Sequence, residues 1–481
     1  MMNTILAENL VSFKELEQKI FAYVCELGRE ITQIMLESYD KELAEGRDKK
    51  IYRDKGTRDT SIKTVYGEVS YSRRVYRTEN EEGQVKYIYL LDQAMQMDKI
   101  GLISTNLAEK IALTITESPY RVTADIINET CGQYISPQGV WNLVQRLGAR
   151  IDEEETYAVQ QMNADQAEGS KATPVLFEEM DGVWLHMQDE HHKKMKKQEM
   201  KVFTMYEGWD AEKEKENRST LIGKTMLAGM EDSNTFHEKR EACIRQKYDA
   251  DEIGQRILNG DGGSWIKEPY DADVIFQLDR YHIYQEILRK IKDKKAQKEI
   301  GELFEAEKIE EMLNYIDVYA TSVESPDEKD KESKHARELL KYLRNNKHGL
   351  LPYDKQGIKI PEPSEGILYK QMGVQESQNC TVITMRMKHR RMRWSKAGAN
   401  NLAKALYRKE NRELINTIER YTDGLIFTMQ MHEVIEILSA AKAPTKDGKG
   451  NHYADRIRMH MPLQDAMQSA STKAFMRAFN S

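Results

Sequence analysis

TPVLFEEMDGVWLHMQ (residues 173–188), QRILNGDGGSW (255–265) and DVIFQLDRYHIYQEIL (273–288) are the stretches whose reading decides the fold. The first reads as a strand, a tight turn at Asp181-Gly182 and a second strand, because Asp-Gly pairs favour turns. KVFTMYEGWD (201–210) supplies a third strand, and residues 234–248 a helix. The second quoted stretch is a short strand ending on Asp261, and the third is a strand that passes into a helix. Three strands, a helix, a strand, then strand and helix alternating make a mixed α/β layer.

That order is the one expected of a ribonuclease H-like core, here assigned to residues 172–282 and resumed at 361–420. Between the two parts, apolar residues from Ile287 to Ile316 recur at helical spacing, so 283–360 reads as a helical insertion. Upstream, Phe13, Leu16, Ile20, Val24, Leu27, Ile31 and Ile34 mark an amphipathic helix within 1–48, a packing or oligomerisation element. Residues 49–103 read as a β-ribbon. It is basic, with Arg73, Arg74 and Arg77 among nine cations interleaved with tyrosines, the composition of a phosphate-tracking surface. In 104–151, a helix over 121–131 and another opening at Ser136-Pro137 fit a helix-turn-helix, with plain helix packing as the bland alternative. The tail, 421–481, is irregular and is expected to wrap or join partner DNA.

Composition sets outer limits. A chain of 481 residues with 31% charged residues holds several domains, and its four scattered cysteines suit reduced thiols better than a disulfide or zinc framework. The first thirty residues carry Glu8, Glu15 and Lys19 among their apolar positions, so neither a signal peptide nor a membrane span is expected, and the protein is placed in the cytoplasm beside the nucleoid. The net charge of −7 does not argue against nucleic acid, since phosphate binding depends on where cations cluster.

The chemistry rests on carboxylates at strand ends. Phosphodiester cleavage and transfer use two divalent ions about 3.5–4 Å apart, and hard Mg²⁺ or Mn²⁺ prefers oxygen ligands. Asp181 follows the strand VLFEEM and Asp261 the strand RILNG. Each alone is better explained as a turn residue, and only the two together, with the blocks that follow, favour a metal site. His282 lies three residues after Asp279 at a helix start, so both can face one edge. Either they lock the insertion onto the sheet or they take part in handling DNA.

The blocks EEMDGVWLHMQ (178–188), LNGDGGSWIKE (258–268), LDRYHIYQEIL (278–288) and GVQESQNCTVITMRMKHRRMRWSKAGANNL (373–402) resemble, in order, those of ISLre-type bacterial insertion-sequence transposases, a Mutator-like branch of the DDE superfamily. TVYGEVSYSRRVYR (64–77) and SPYRVTADIINETCGQYIS (118–136) are similar to that family too. The resemblance implies Asp181, Asp261 and Glu376 as catalytic residues and metal ligands for two Mg²⁺ or Mn²⁺ ions, with Asp279 and His282 as a paired motif beside them. Glu362 and Glu365 compete with Glu376 for the third place. They stand in a proline-broken loop, whereas Glu376 precedes a basic run of Arg386, Lys388, Arg390, Arg391 and Arg393, then Trp394. That run reads as a DNA-backbone contact, or else as a solvated helix face. The expected activity is transposition: cutting at the element's terminal inverted repeats frees a 3′-hydroxyl, which attacks target DNA within a homodimer or larger synaptic complex. A nuclease or resolvase without strand transfer, and a non-catalytic DNA-binding descendant, are the rival readings.

Overall fold

The structure is a computed structural model that describes residues 12–79, 83–96, 101–267, 274–324, 331–389 and 392–422. It divides into two compact bodies, one of residues 1–110, 124–136 and 420–481, the other of 111–123 and 137–419. The expected tail at 421–481 lies almost wholly outside the described residues. No helix among the described residues is long and apolar enough to cross a membrane.

In the first body, helix α1 (Phe13–Gly46) opens on a capping box, Ser12 and Glu15 each accepting from the other's backbone N–H. Its first turns leave Phe13, Ile20 and Val24 exposed. Leu36 further along packs with Ile62, Val69, Tyr71 and Leu91. The expected ribbon is a three-stranded antiparallel sheet of β1 (Arg53–Thr64), β2 (Gly67–Glu79) and β3 (Val85–Ile88). Gly67, at φ 126°, closes the β1–β2 turn, where a side chain would be strained. Helices α2 (Thr105–Glu117) and α3 (Tyr120–Thr130) follow, each with residues in both bodies.

The second body opens its long run with α4 (Pro137–Asn163), which starts on the expected proline but runs past 151, the expected end of the helix-turn-helix region. Five strands form its main sheet: β4 (Lys171–Leu185), β5 (Gln198–Tyr206), β8 (Thr225–Gly229), β9 (Tyr248–Gly260) and β10 (Ile275–Leu278), in the spatial order β10-β9-β4-β5-β8. β4 runs parallel to β9, and β9 to β10, while β5 is antiparallel to both β4 and β8. A small sheet joins β6 (Gly208–Asp210), β7 (Leu221–Ile222) and β11 (Ile367–Leu368). α5 (Ser233–Arg245) packs on β9 and α4. From β10 the chain enters α6 (Arg280–Lys290), α7 (Lys294–Glu305), α8 (Ile309–Ser322) and α9 (Glu332–Asn345), the helices expected as an insertion. Then comes α10, a continuous helical segment of α-helical Gln375–Gln378, π-helical Asn379–Thr384 and α-helical Met385–Met387. α11 (Lys396–Glu410) packs against α4 and β8, and α12 (Leu414–Thr422) follows.

One expectation is corrected outright. There is no turn at Asp181-Gly182: β4 passes straight through, with Asp181 paired to Val202 and Gly182 to Lys201 of β5. Gly182 is needed for space, because a Cβ there would collide with the Glu199 side chain. The Asp-Gly pair therefore lies within a paired strand, where the Glu199 side chain crowds Gly182, rather than at a chain reversal.

Candidate active site

The parallel register builds the site. Met180, Gly260 and Leu278 are aligned rungs of β4, β9 and β10. One residue further on stand Asp181, Asp261 and Asp279, a row of three carboxylates along one sheet edge. Asp279 caps α6 and is tied to the row by its N–H, which donates to the Gly260 carbonyl at 2.8 Å. Asp261 begins a glycine turn in which Gly263 N–H donates to its Oδ1 at 2.8 Å and Gly262 adopts φ 82°. Tyr342 of α9 donates to the Asp261 carbonyl at 2.8 Å.

His282 bridges the ends of the row. Its Nδ1 lies 2.7 Å from Asp279 Oδ2 and its Nε2 3.8 Å from Asp181 Oδ1. Burial pulls the imidazole pKa down, but the Asp279 hydrogen bond and the neighbouring carboxylates outweigh it and carry the value to about 9. Asp181, only 8% exposed, is also shifted upward, which for an acid disfavours the charged form. Burial lifts its pKa to about 6, with Asp261 and Glu376 adding repulsion while His282 and the Gly182 N–H oppose it. Asp181 accepts a further bond from Asn379 Nδ2 at 2.6 Å.

Glu376 sits in the first turn of α10, exposed, one helical turn before Asn379. That spacing puts both on one face of the helix, Asn379 against Asp181 and Glu376 close enough to repel it. The π-helical stretch starts at Asn379, and such bulges re-aim side chains near functional sites. Sequence reasoning missed Asn379, and it missed Glu199 on β5. Burial raises the Glu199 pKa, with the charge of Asp261 adding to it. No sequence signal pointed to Glu199, which pairs with Trp184 in a part of β5 that precedes the strand expected from Lys201.

The acids at this edge are a donor set that fits hard divalent cations. They are all oxygen ligands, and Asp181, whose pKa is raised chiefly by burial with Asp261 and Glu376 adding repulsion, is a carboxylate whose charged form a bound cation would favour. A tighter acidic group exists among the described residues, Asp152, Glu155 and Glu231, whose oxygens lie within 4.8 Å of one another. Two ammonium groups already fill it. Lys239 Nζ stands 2.5–3.0 Å and Lys404 Nζ 2.5–3.3 Å from those carboxylates.

The expected DNA-binding cations divide sharply. In the ribbon, Arg73 is buried, paired with Asp92 and stacked 4.0 Å over the Tyr89 ring. Arg74 bonds Asp40 at 2.7 Å and Arg77 bonds Glu79 at 3.0 Å. The exposed cations of that sheet are instead Arg53, Lys55 and Arg58 on β1 and Lys86 on β3. In the later run, Arg386 is 6% exposed and donates to the Ile115 carbonyl at 2.7 Å. Trp394, also 6% exposed, donates to the Met387 carbonyl at 2.8 Å and its backbone bridges to Met187. Both are interior residues, so neither is a surface contact in this structure. Lys388 and Arg393 are exposed. Arg390 and Arg391 lie outside the described residues.

Comparison with known proteins places the chain among relatives of similar length. It is 23% identical over 426 residues to a UPF0236 protein of Caldanaerobacter subterraneus subsp. tengcongensis that bears eleven locus designations, covering 84% of this chain and 79% of that one. It is 24% identical over 396 residues to the UPF0236 protein in the vanSb 3′ region of Streptococcus gallolyticus, covering 81% of each. Among solved structures, a chain of the Drosophila P element transposase strand transfer complex is similar at TM-score 0.21 and 10% identity, over 72% of this chain and 87% of that one, too slight a likeness to argue from. Residues 6–420 match the model of the Uncharacterised protein family (UPF0236), and the chain belongs to that family.

Proposed function

We propose that this protein is a DNA transposase of an insertion sequence, with Asp181, Asp261 and Glu376 as its metal ligands on a ribonuclease H-like core. The observation that carries the reading is the row of acids just past the last rung that β4 and β9 share, Met180–Gly260, with α10 bringing Glu376 within electrostatic reach of Asp181. The fold assignment is supported by strand order. Numbered in chain order and read across the second body's main sheet from β8 to β10, the strands lie third, second, first, fourth, fifth, and only the second in chain order runs against the rest. The eleven loci borne by one relative in a single organism are what a self-copying element would leave.

In this reading two divalent ions, Mg²⁺ or Mn²⁺, supply Lewis-acid activation of an attacking oxygen and charge stabilisation of the leaving one. The chain's own residues fix the geometry. Asn379 sets the rotamer of Asp181, Gly263 that of Asp261, and Asp279 orients His282. Exposed Arg53, Lys55 and Arg58 of β1, with Lys388 and Arg393, are the cations offered to duplex DNA at terminal repeats and target. A dimer or larger assembly is required to hold two element ends.

The test is an oligonucleotide assay with element ends, scoring cleavage of intact ends and joining of pre-cut ends. Asp181→Asn and Asp261→Asn should each lower both by about 10³-fold or more while leaving end binding intact. Calorimetric titration with Mn²⁺ should show binding that Asp181→Asn abolishes and Glu231→Gln does not. Undiminished cleavage in Asp181→Asn would sink the assignment, and cleavage without joining would reduce the protein to a nuclease.

A further inference from the structure

Beneath the row of aspartates lies a second polar row, too deep in the sheet to hold a metal ion itself. Two residues back along the same strands, Glu179, Asn259 and Gln277 are aligned rungs of β4, β9 and β10. Because side chains alternate along a strand, these three point to the same face as Asp181, Asp261 and Asp279. All three are nearly or wholly buried, Glu179 with 0% exposure. A carboxylate in the middle of a sheet is costly to bury unless its oxygens are satisfied.

They are satisfied in an informative way. Glu179 Oε1 accepts from the Tyr206 hydroxyl at 2.6 Å and from the backbone N–H groups of Gly373 and Val374 at 3.1 and 3.2 Å. Its Oε2 accepts from Gln375 N–H at 3.1 Å and from Asn259 Nδ2 at 3.2 Å. Five donors converge, three of them the backbone amides that open α10, so Glu179 does for this helix from across the sheet what a capping residue does locally. Val374, the residue at the helix's own cap position, has no side-chain oxygen with which to do so.

The bonds continue from there in a ring. Gln375 Nε2 donates to Asn379 Oδ1 at 2.9 Å, and Asn379 Nδ2 to Asp181 Oδ2 at 2.6 Å. On the other side, Asn259 Nδ2 also reaches Asp279 Oδ1 at 3.2 Å, and Asp279 holds His282, which faces Asp181. Both arms start at Glu179 and end at Asp181.

We propose that Glu179 is a positioning residue of the active site, the buried anchor that fixes the start of α10 and so sets Asn379 against Asp181 and Glu376 within electrostatic reach of it. The proposal rests on the reading of Asp181 and Glu376 as metal ligands. Glutamine is the discriminating substitution. It keeps the volume but turns an NH₂ group toward N–H or O–H donors, since all five partners donate and a glutamine can offer only one acceptor oxygen.

The experiment compares full-length wild type, Glu179→Gln and Asp181→Asn. Circular dichroism and a thermal melt check that each is folded. Three readouts follow: backbone hydrogen exchange of a peptide spanning 372–380, Mn²⁺ affinity by calorimetry, and single-turnover rates of end cleavage against end affinity. Folded Glu179→Gln should exchange faster over 372–380, bind Mn²⁺ about 10-fold more weakly and cleave about 10–100-fold more slowly, with affinity for DNA ends unchanged within about twofold. A residue that only filled the core would leave Mn²⁺ affinity and the ratio of rate to end affinity where they were. Folded Glu179→Gln with wild-type exchange, or with wild-type Mn²⁺ affinity and rate, overturns the proposal. Should Glu179→Gln fail to fold, Tyr206→Phe, which removes a single donor and no charge, takes its place with a several-fold loss expected in the same readouts and no loss overturning it. Mn²⁺ binding by wild type that survives in Asp181→Asn overturns the active-site reading itself, an outcome visible without any Glu179 variant.

Discussion

In the proposed site, Asp181 is the side chain on which burial tells most. Its folded pKa of about 6 lies above the ordinary value of 3.8, chiefly through burial. The fold therefore favours the protonated form. Asp181's contribution to stability is fully present below about pH 4, is lost as pH rises through about 6, and the carboxylate is a net cost at neutrality. Asp181→Asn should accordingly raise stability to urea at pH 7.5, by at most about 3 kcal/mol for a shift of roughly two units, less what His282 loses with its partner. The gain should shrink at pH 5. A variant less stable than wild type at both pH values would contradict that sign. Residue chemistry was also where sequence alone was least reliable. Asp261 could be read from its strand and glycines. Asp181 was expected at a turn, since Asp-Gly suggests one, and the strand instead continues through it. Glu179 was invisible, because a glutamate in a strand ordinarily faces water and only the long-range approach of residues 373–375 explains its burial.

At the scale of elements, long periodic helices and the sheet were legible because each is written in local hydrophobic spacing. Cation function was not, since a run such as 386–394 does not say which members turn inward. Arg386 and Trp394 are used in packing, and in the ribbon Arg73, Arg74 and Arg77 are engaged by Asp92, Asp40 and Glu79. The two classes should separate experimentally. Lys55→Ala with Arg58→Ala, on the exposed strand β1, should weaken binding to duplex DNA and reduce the slope of log K against log[salt] by about 0.9 for each phosphate no longer neutralised, with little change in melting temperature. Arg73→Ala should do the reverse, lowering stability by about 1–3 kcal/mol through the stranded Asp92 while leaving the salt slope in place. Equal salt slopes for wild type and the β1 double variant would remove this strand from the DNA surface.

At the scale of the whole second body, distant parts of the chain are clamped at one buried point. Asp152 and Glu155 come from α4, Glu231 from the turn before α5, Lys239 from α5, and Lys404 with Tyr407 from α11. Lys404 is 1% exposed, and its ammonium touches all three acids. Although burial alone would raise it, Lys404 and Lys239 bring the Glu231 pKa down to about 2. A depressed carboxylate pKa contributes stability above its unfolded value, near 4.5, and loses it as pH falls toward about 2. Lys404→Met keeps the length of the side chain but strands the acids around one remaining ammonium, so a loss of about 3–5 kcal/mol is expected at pH 7 in urea denaturation. The penalty should narrow below about pH 4 as the acids take up protons. Adding Glu231→Gln to Lys404→Met removes one stranded charge and should restore part of the loss, because a broken buried pair costs more than an absent one. If the double variant is less stable than Lys404→Met alone, the cluster is held by something other than charge pairing, and its three carboxylates would have to be reconsidered as a cation site in their own right.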